Sequence, residues 1–540
     1  MIQFTQEQQN AIDFPGNMVL TACPGSGKTT VVIEKIAMDL RGMKNFQGVI
    51  AISHTNKASD ELLKRSKKFI VDVKSSFFGT IDKFFLREII FNFMNHFASR
   101  PSSLKIIKFN DLLPEQQAKM LFLLADGFVI LKEDVNALNE IYTLYSQGVF
   151  VLEMAPLMSL FILTYSHACQ RYIKAKYKSI YIDEYQDSGF IQHEIFKLIS
   201  MFGIKAVAVG DADQSIHEYA KKYSKYLIEL KNGDNGFEPF ELTLNHRCHY
   251  SIVNYASRLI RPECTLIAGG NIQVYRVCIP GYFEEIASWI DSGLESIKKS
   301  FGIKYNNQIA ILAVSNKSVS YISSCLKVQN RAYVDDKLSK LGTDVSRLIM
   351  DLLHYRYNNN HTAQDIIDNY SESGVTRRQV KLLRREINLV RKIDDCNLIA
   401  SVRGVLTLLG DYNLESIHID GINEVLQVDA VRNNYLPINQ NEVQIMNIHK
   451  SKGLEFDCVY HLDLYDHVLP KREYPVGSRD VIYKNEKQCL NLHYVALTRA
   501  KKFVVLVTST ERIGSKGYRI PALPSQFFDR AGLEGLFKKL

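Results

Sequence analysis

A chain of 540 residues, 46% hydrophobic and 23% charged, is too long for one compact core and divides into several units. No run of about 18 uncharged apolar residues occurs and the stretch from Met1 to Ala11 is polar, which argues against a membrane span or secretory leader and predicts a cytoplasmic protein. Nine cysteines without a CxxC pair argue against a disulfide framework or a zinc centre, and 66 Lys plus Arg against 58 Asp plus Glu leave a net charge of +8 that is compatible with a polyanionic partner.

The first element, Phe4 to Ile12, reads as a short helix, and its Gln8 carries an amide that can donate to and accept from an adenine edge. An apolar strand, Met18-Val19-Leu20, then runs into Thr21-Ala22-Cys23-Pro24-Gly25-Ser26-Gly27-Lys28-Thr29-Thr30 and a helical segment. This is the pattern of a phosphate-binding loop. Backbone N–H groups close around phosphate oxygens, Lys28 reaches the β and γ phosphates, and Thr29 offers a hydroxyl to Mg²⁺. A second strand, Gly48 to Ser53, delivers His54, Thr55 and Asn56 to the ligand edge of a parallel sheet, and Phe78 to Asp82 delivers Thr80. From about Lys83 to Tyr177 the pattern is rich in Phe, Leu and Met at helical spacing and predicts a helical insertion.

The sheet resumes with Ser179-Ile180-Tyr181-Ile182 and ends in Asp183-Glu184-Tyr185-Gln186-Asp187. A strand that delivers two adjacent carboxylates suits nucleotide hydrolysis, Asp183 holding the Mg²⁺ shell and Glu184 orienting and deprotonating the attacking water. The next strand, Ala206 to Val209, delivers Gly210 to His217, in which Gln214 is placed to sense the γ-phosphate. A lysine loop, a carboxylate pair and a glutamine on three strands compose one site for a nucleoside triphosphate.

These motifs, with Leu244-Asn245-His246-Arg247-Cys248, Val443 to Phe456 and Tyr494 to Lys501, resemble in order the motifs of the UvrD/Rep-like helicases of superfamily 1A. The resemblance implies an α/β fold of two RecA-like domains, parallel sheets flanked by helices, with helical insertions. Domain 1A is expected over residues 1–85 and 171–240, insertion 1B over 86–170, domain 2A over 241–335 and 441–540, and a reduced insertion 2B over 336–440. It further implies ATP and Mg²⁺ as cofactors, with Arg247 and Arg499 reaching the γ-phosphate from the second domain and with Gln8, His246, Gly453 and Glu455 around the nucleoside. Single-stranded or tailed DNA is expected to touch His54, Thr55, Asn56, Thr80, Tyr219 and His449, with Tyr494 as a wedge at the first base pair. Several of these positions depart from the family pattern, among them His54 for a usual Phe and Tyr219 for a usual Trp.

The implied activity is an ATP-dependent 3′–5′ DNA helicase or translocase. The compact chain also resembles the helicase subunit of Gabija-type anti-phage defence, which implies an alternative: an accessory subunit that senses nucleotide or DNA ends and regulates a separate nuclease of the OLD/TOPRIM type. Within the 2B interval, Val380, Leu383, Ile387 and Val390 form one apolar helix face flanked by Arg377, Arg378, Lys381, Arg384, Arg385, Arg391 and Lys392.

Overall fold

The computed structural model describes residues 3–53, 56–69, 72–216, 223–233, 236–370, 376–410, 412–473, 482–514 and 518–540. The chain forms two compact units, Met1–Cys248 with Lys487–Tyr494, and His249–Glu486 with Val495–Leu540.

The first unit is built on six parallel strands. They are β1 (Met18–Ala22), β2 (Gly48–Ile52), β3 (Phe77–Gly79), β6 (Tyr177–Ile182), β7 (Lys205–Gly210) and β8 (Glu238–Leu242), in the order β3-β2-β6-β7-β1-β8. Both faces are covered, and the two-residue period of a strand sorts the side chains between two cores. Leu20, Val49, Ala51, Tyr181, Val207 and Val209 pack with helices α1 (Gln6–Asp13), α2 (Lys28–Arg41) and Leu62 of α3 (Asn56–Phe69). Their neighbours Val19, Ile50, Ile52, Ile180, Ile182, Ala206 and Ala208 face the other way.

That second core is continuous with the insertion after β3, so the insertion is a thickening of the first unit rather than a separate body. It is helical in the main, as its spacing predicts, with helices Pro114–Met120, Val135–Ser146 and Ala155–Tyr165. Two features depart from an all-helical reading. Phe85–Ile90 is wound as a π-helix, and β4 (Lys105–Ile107) pairs in parallel with β5 (Val149–Val151).

The second unit carries seven parallel strands: β9 (Val274–Ile279), β10 (Ile309–Ala313), β11 (Asn330–Ala332), β12 (Val443–Asn447), β13 (Phe456–His461), β16 (Ala500–Ser509) and β19 (Lys538–Lys539). Their order is β11-β12-β10-β13-β16-β9-β19. Two short antiparallel hairpins, β14–β15 (Lys471–Glu473, Ile482–Lys484) and β17–β18 (Glu511–Ile513, Arg519–Pro521), complete it.

Between β11 and β12 the chain leaves the sheet to form a helical insertion with its own core, from Leu338 to Tyr435. Leu383, Ile387 and Val390 of the helix Arg377–Lys392 point into this core, and Arg377, Arg378, Lys381 and Arg385 are exposed. Where the chain re-enters the sheet, the buried guanidinium of Arg331 donates to the carbonyls of Leu436 and Pro437 and pairs with Glu442 at 2.8 Å. At the entry, Lys450 pairs with Asp335 at 2.7 Å, and Asn434 donates to the Val334 carbonyl.

The expected start of the second domain at residue 241 is shifted. β8 pairs with β1 through Leu242, and the segment to Cys248 remains with the first unit. The expected helical 2B interval and the strands flanking it lie in the second unit.

Candidate nucleotide site and motor elements

The phosphate loop leaves the C-terminal end of β1 and is shaped by two glycines in the left-handed region, Gly25 at φ 71° and Gly27 at φ 85°. A Cβ at Gly25 would stand 2.5 Å from Cβ of Arg247 and 2.9 Å from Oδ1 of Asn245, and one at Gly27 would stand 2.7 Å from Nε2 of Gln8. Both positions therefore require glycine for backbone conformation and for space. Gly27 also begins α2 without any side-chain cap, which leaves the first N–H groups of that helix to a ligand. Pro24 and Ser26 are buried, and the Ser26 hydroxyl donates to the Cys23 carbonyl at 2.8 Å. Lys28, Thr29 and Thr30 form the first turn of α2, and Lys28 Nζ reaches back to the Ala22 carbonyl at 3.3 Å.

Strands β6 and β7, side by side in the sheet, supply the acid residues. Asp183 follows β6, and its Oδ1 accepts from the Glu184 N–H at 2.9 Å. Glu184 has φ 59°, a conformation that costs a non-glycine residue about 1–3 kcal/mol and is held here by its surroundings. Gln186, fully buried, donates to the Glu184 carboxylate at 2.5 Å and accepts from the Asp211 N–H at 3.0 Å, so it ties the carboxylate loop to the loop after β7. Asp211 accepts from Gln214 Nε2 at 2.6 Å. Burial raises the Asp211 carboxyl above its ordinary range and the Lys28 ammonium opposes that shift.

Gln186, Asp211 and Asn245 are functional neighbours that motif reading passed over. Asn245 Oδ1 accepts from the N–H groups of Arg247 and Cys248, both at 2.8 Å, and the His246 N–H donates to the Gly25 carbonyl at 3.0 Å. This corrects the expectation for Arg247, which was assigned to the second domain. Its segment packs on the phosphate loop within the first unit, because β8 delivers it beside β1. His246 is exposed.

Gln8 lies in α1, whose N-terminus is closed by a reciprocal cap. Gln8 N–H donates to Thr5 Oγ1, and Thr5 N–H donates to Gln8 Oε1 at 3.0 Å. Gln8 Nε2 donates to the Ser26 carbonyl at 2.9 Å, so the amide retains one N–H and one lone pair for a further partner.

In the second unit, Arg499 is 2% exposed and its guanidinium donates to the carbonyls of Val495 and Leu454 and to Thr498 Oγ1. Arg499 and Glu455 immediately precede β16 and β13, and the Phe456 N–H donates to the Arg499 carbonyl, so both lie at the N-terminal edge of the sheet. Glu455 pairs with Lys501 at 2.5 Å, and Gly453 has φ 82°. His449 follows β12 at the opposite, C-terminal edge, and burial lowers its pKa, with Lys452 adding to that effect.

Of the expected DNA residues, Thr80 is buried and caps a helix by accepting from the Lys83 N–H. Tyr494 is 5% exposed, a packed position rather than a protruding one. His54, Thr55 and Tyr219 lie outside the described residues, and Asn56 is placed as the first residue of α3.

The residues fit a magnesium-bound nucleoside triphosphate. A glycine cradle adjoins an uncapped helix N-terminus, and the Thr29 hydroxyl and Asp183 carboxylate are hard oxygen donors of the type that Mg²⁺ takes. No helix among the described residues is long and apolar enough to cross a membrane.

Comparison with known families supports this assignment. Residues 7–220 match an AAA domain model, and residues 355–511 match the UvrD-like helicase C-terminal domain. The chain is 26% identical to Gabija protein GajB of Bacillus cereus, over 92% of this chain and 94% of that protein. It is 23% identical to a probable DNA helicase II homolog of Mycoplasma pneumoniae, covering 97% and 86% of the two chains. It is 22% identical to the ATP-dependent DNA helicase Rep of Buchnera aphidicola, covering 96% and 97%. With the phosphate loop and the carboxylate pair, these matches make the chain similar over nearly its whole length to the UvrD/Rep-like DNA helicases.

Proposed function

We propose that the protein is an ATP-driven motor that moves 3′ to 5′ along single-stranded DNA and separates duplexes ahead of it. The observation that carries this reading is the convergence on the C-terminal ends of adjacent parallel strands of Lys28, Asp183, Glu184 and Gln214, with Gln186 linking two of the loops. Lys28 and the loop N–H groups bind the phosphates. Glu184 takes the proton from the attacking water, its carboxylate oriented by Gln186 and by its left-handed backbone. Thr29 and Asp183 would hold Mg²⁺, which would supply positive charge to the bound phosphates. Arg247, already beside the loop, and Arg499, carried by the second unit, supply positive charge to the transition state. Such an arginine is worth about 10³ to 10⁵ in rate, so its delivery is the natural point at which DNA controls hydrolysis. The test is the steady-state ATPase rate with and without single-stranded DNA, for the wild type and Arg499→Ala. Stimulation by DNA that is lost in the variant is expected. A wild-type rate indifferent to DNA would remove the motor reading.

A second reading is favoured by the near full-length similarity to Gabija protein GajB. In it the chain serves anti-phage defence by sensing DNA ends or nucleotide and regulating a separate nuclease of the OLD/TOPRIM type, with little unwinding of its own. Strand displacement by the isolated chain favours the motor. ATP hydrolysis without displacement, restored only with a nuclease partner, favours the sensor.

A further inference from the structure

Among the described residues of the nucleotide unit, Lys35 is the most deeply buried ammonium that the chemistry above does not use. It lies on α2, seven residues beyond Lys28, and is 2% exposed. Its Nζ donates to three main-chain carbonyls, Ala11 at 2.9 Å, Ile12 at 3.2 Å and Phe14 at 2.6 Å. These are carbonyls at the C-terminal end of α1, acceptors that a helix cannot satisfy internally, at the negative pole of its dipole. The other end of α1 is fixed to the phosphate loop by the Gln8–Ser26 hydrogen bond, and Glu7 accepts from the Thr243 N–H and hydroxyl. The helix is therefore pinned at one end by Gln8 and at the other by Lys35. Both pins lead to α2, one through the loop that opens it and one through its third turn.

We infer that Lys35 is a positioning residue for base selection: by clamping the C-terminal end of α1 to α2 it holds Gln8 at the one depth where its spare N–H and lone pair meet an adenine edge. The inference rests on the reading of Gln8 as the adenine contact. A guanine presents the opposite donor and acceptor pattern, so a fixed amide discriminates and a loosened one, free to shift or flip, does not. The three carbonyls exhaust the donors of one ammonium, so a neutral side chain of the same length leaves all three unsatisfied and frees the end of the helix.

A pH dependence accompanies this geometry. Burial, assisted by the Lys205 ammonium, lowers the Lys35 pKa to about 8, against the pull of Asp39 on its own helix and Asp13 on α1. Lys205 is itself paired with Asp39. The raised-pH form lacks one donor, so the clamp is complete below about pH 8 and weakens above it.

The test measures kcat and KM for ATP and for GTP with the full chain as wild type, Lys35→Met, Lys35→Arg and Gln8→Ala, with thermal unfolding as a check on folding. In Lys35→Met, KM for ATP is expected to rise about five- to tenfold, the size of one lost hydrogen bond, with kcat and the GTP parameters little changed. Lys35→Arg, charged at every pH tested, is expected to keep the preference for ATP at pH 7 and at pH 9.5, whereas the wild type loses part of it at the higher pH. Loss of the preference in Gln8→Ala with full retention in Lys35→Met overturns the role of Lys35 and leaves the base contact standing. Retention in Gln8→Ala overturns both. If Lys35→Met does not fold, a wild-type preference that is unchanged between pH 7 and 9.5 overturns the inference on its own.

Discussion

At the scale of single residues, the nucleotide site depends on backbone conformations that ordinary residues resist. Glu184 holds φ 59° while its carboxylate is bound by Gln186, so its chemistry is separable from the fold of the loop. Glu184→Gln is expected to lower kcat by about 10² to 10⁴, the range for loss of a general base, while a fluorescent ATP analogue still binds within a few-fold of the wild-type affinity. Gly25→Ala tests the loop itself. A methyl there meets Arg247 and Asn245 at under 3 Å in a left-handed backbone, a strain of about 1–3 kcal/mol, so KM for ATP is expected to rise tenfold or more. Gly42→Ala, where a Cβ meets nothing within 4 Å, is the matched control and leaves KM unchanged. The loop, the carboxylate pair and Gln214 were legible in the sequence because each follows an apolar strand at short, fixed spacing. Gln186, Asp211 and Asn245 were not, because a buried amide or a second carboxylate looks like any polar loop residue until the fold shows which N–H groups it answers.

At the scale of elements, the segment between β12 and β13 has the most to carry. His449 stands at the C-terminal edge of the second sheet, and Gly453 and Glu455 lead into β13 at the N-terminal edge. Eight residues thus connect the edge expected to face DNA with the edge that carries Arg499, and Lys450 within them also holds the entry to the helical insertion through Asp335.

The adjoining β13 makes an acid-sensitive element. His461 is fully buried, and burial depresses its pKa from an ordinary value near 6.5 to about 3. Because the folded state disfavours the proton, its stabilising contribution is complete above about pH 6.5 and is lost progressively as pH falls toward 3. Each tenfold change in proton affinity is worth about 1.4 kcal/mol, so the total is on the order of several kcal/mol. The thermal midpoint of the second unit is expected to drop more between pH 7.5 and 4.5 in the wild type than in His461→Asn. An equal drop in both would assign the acid sensitivity to other groups.

The second helical insertion was implied by the family resemblance, whereas the first was legible from its 3.6-residue spacing. The three-residue strands β4 and β5 were not, since a run that short carries no readable alternation, and their pairing is decided by the tertiary fold.

At the scale of the whole molecule, the division of labour follows from topology. In the first unit the phosphate loop, the carboxylate loop and the loop after β7 leave one edge of a single parallel sheet, and the core beneath them continues into the first insertion. The second unit repeats the parallel sheet and adds a separately cored helical insertion whose exposed face is basic. Two parallel-sheet units could be anticipated from the order of the motifs. The assignment of residues 241–248 to the first unit could not, because strand β8 gives no local sign of which sheet it joins. ATP turnover in this chain is proposed to drive directed movement on DNA. Its most direct measurement is strand displacement by the purified chain on duplexes with a 3′ or a 5′ single-stranded tail, with ATP and Mg²⁺. Displacement of the 3′-tailed duplex alone, absent in Lys28→Ala, is the predicted result; displacement of only the 5′-tailed duplex, or equal displacement by Lys28→Ala, would contradict it.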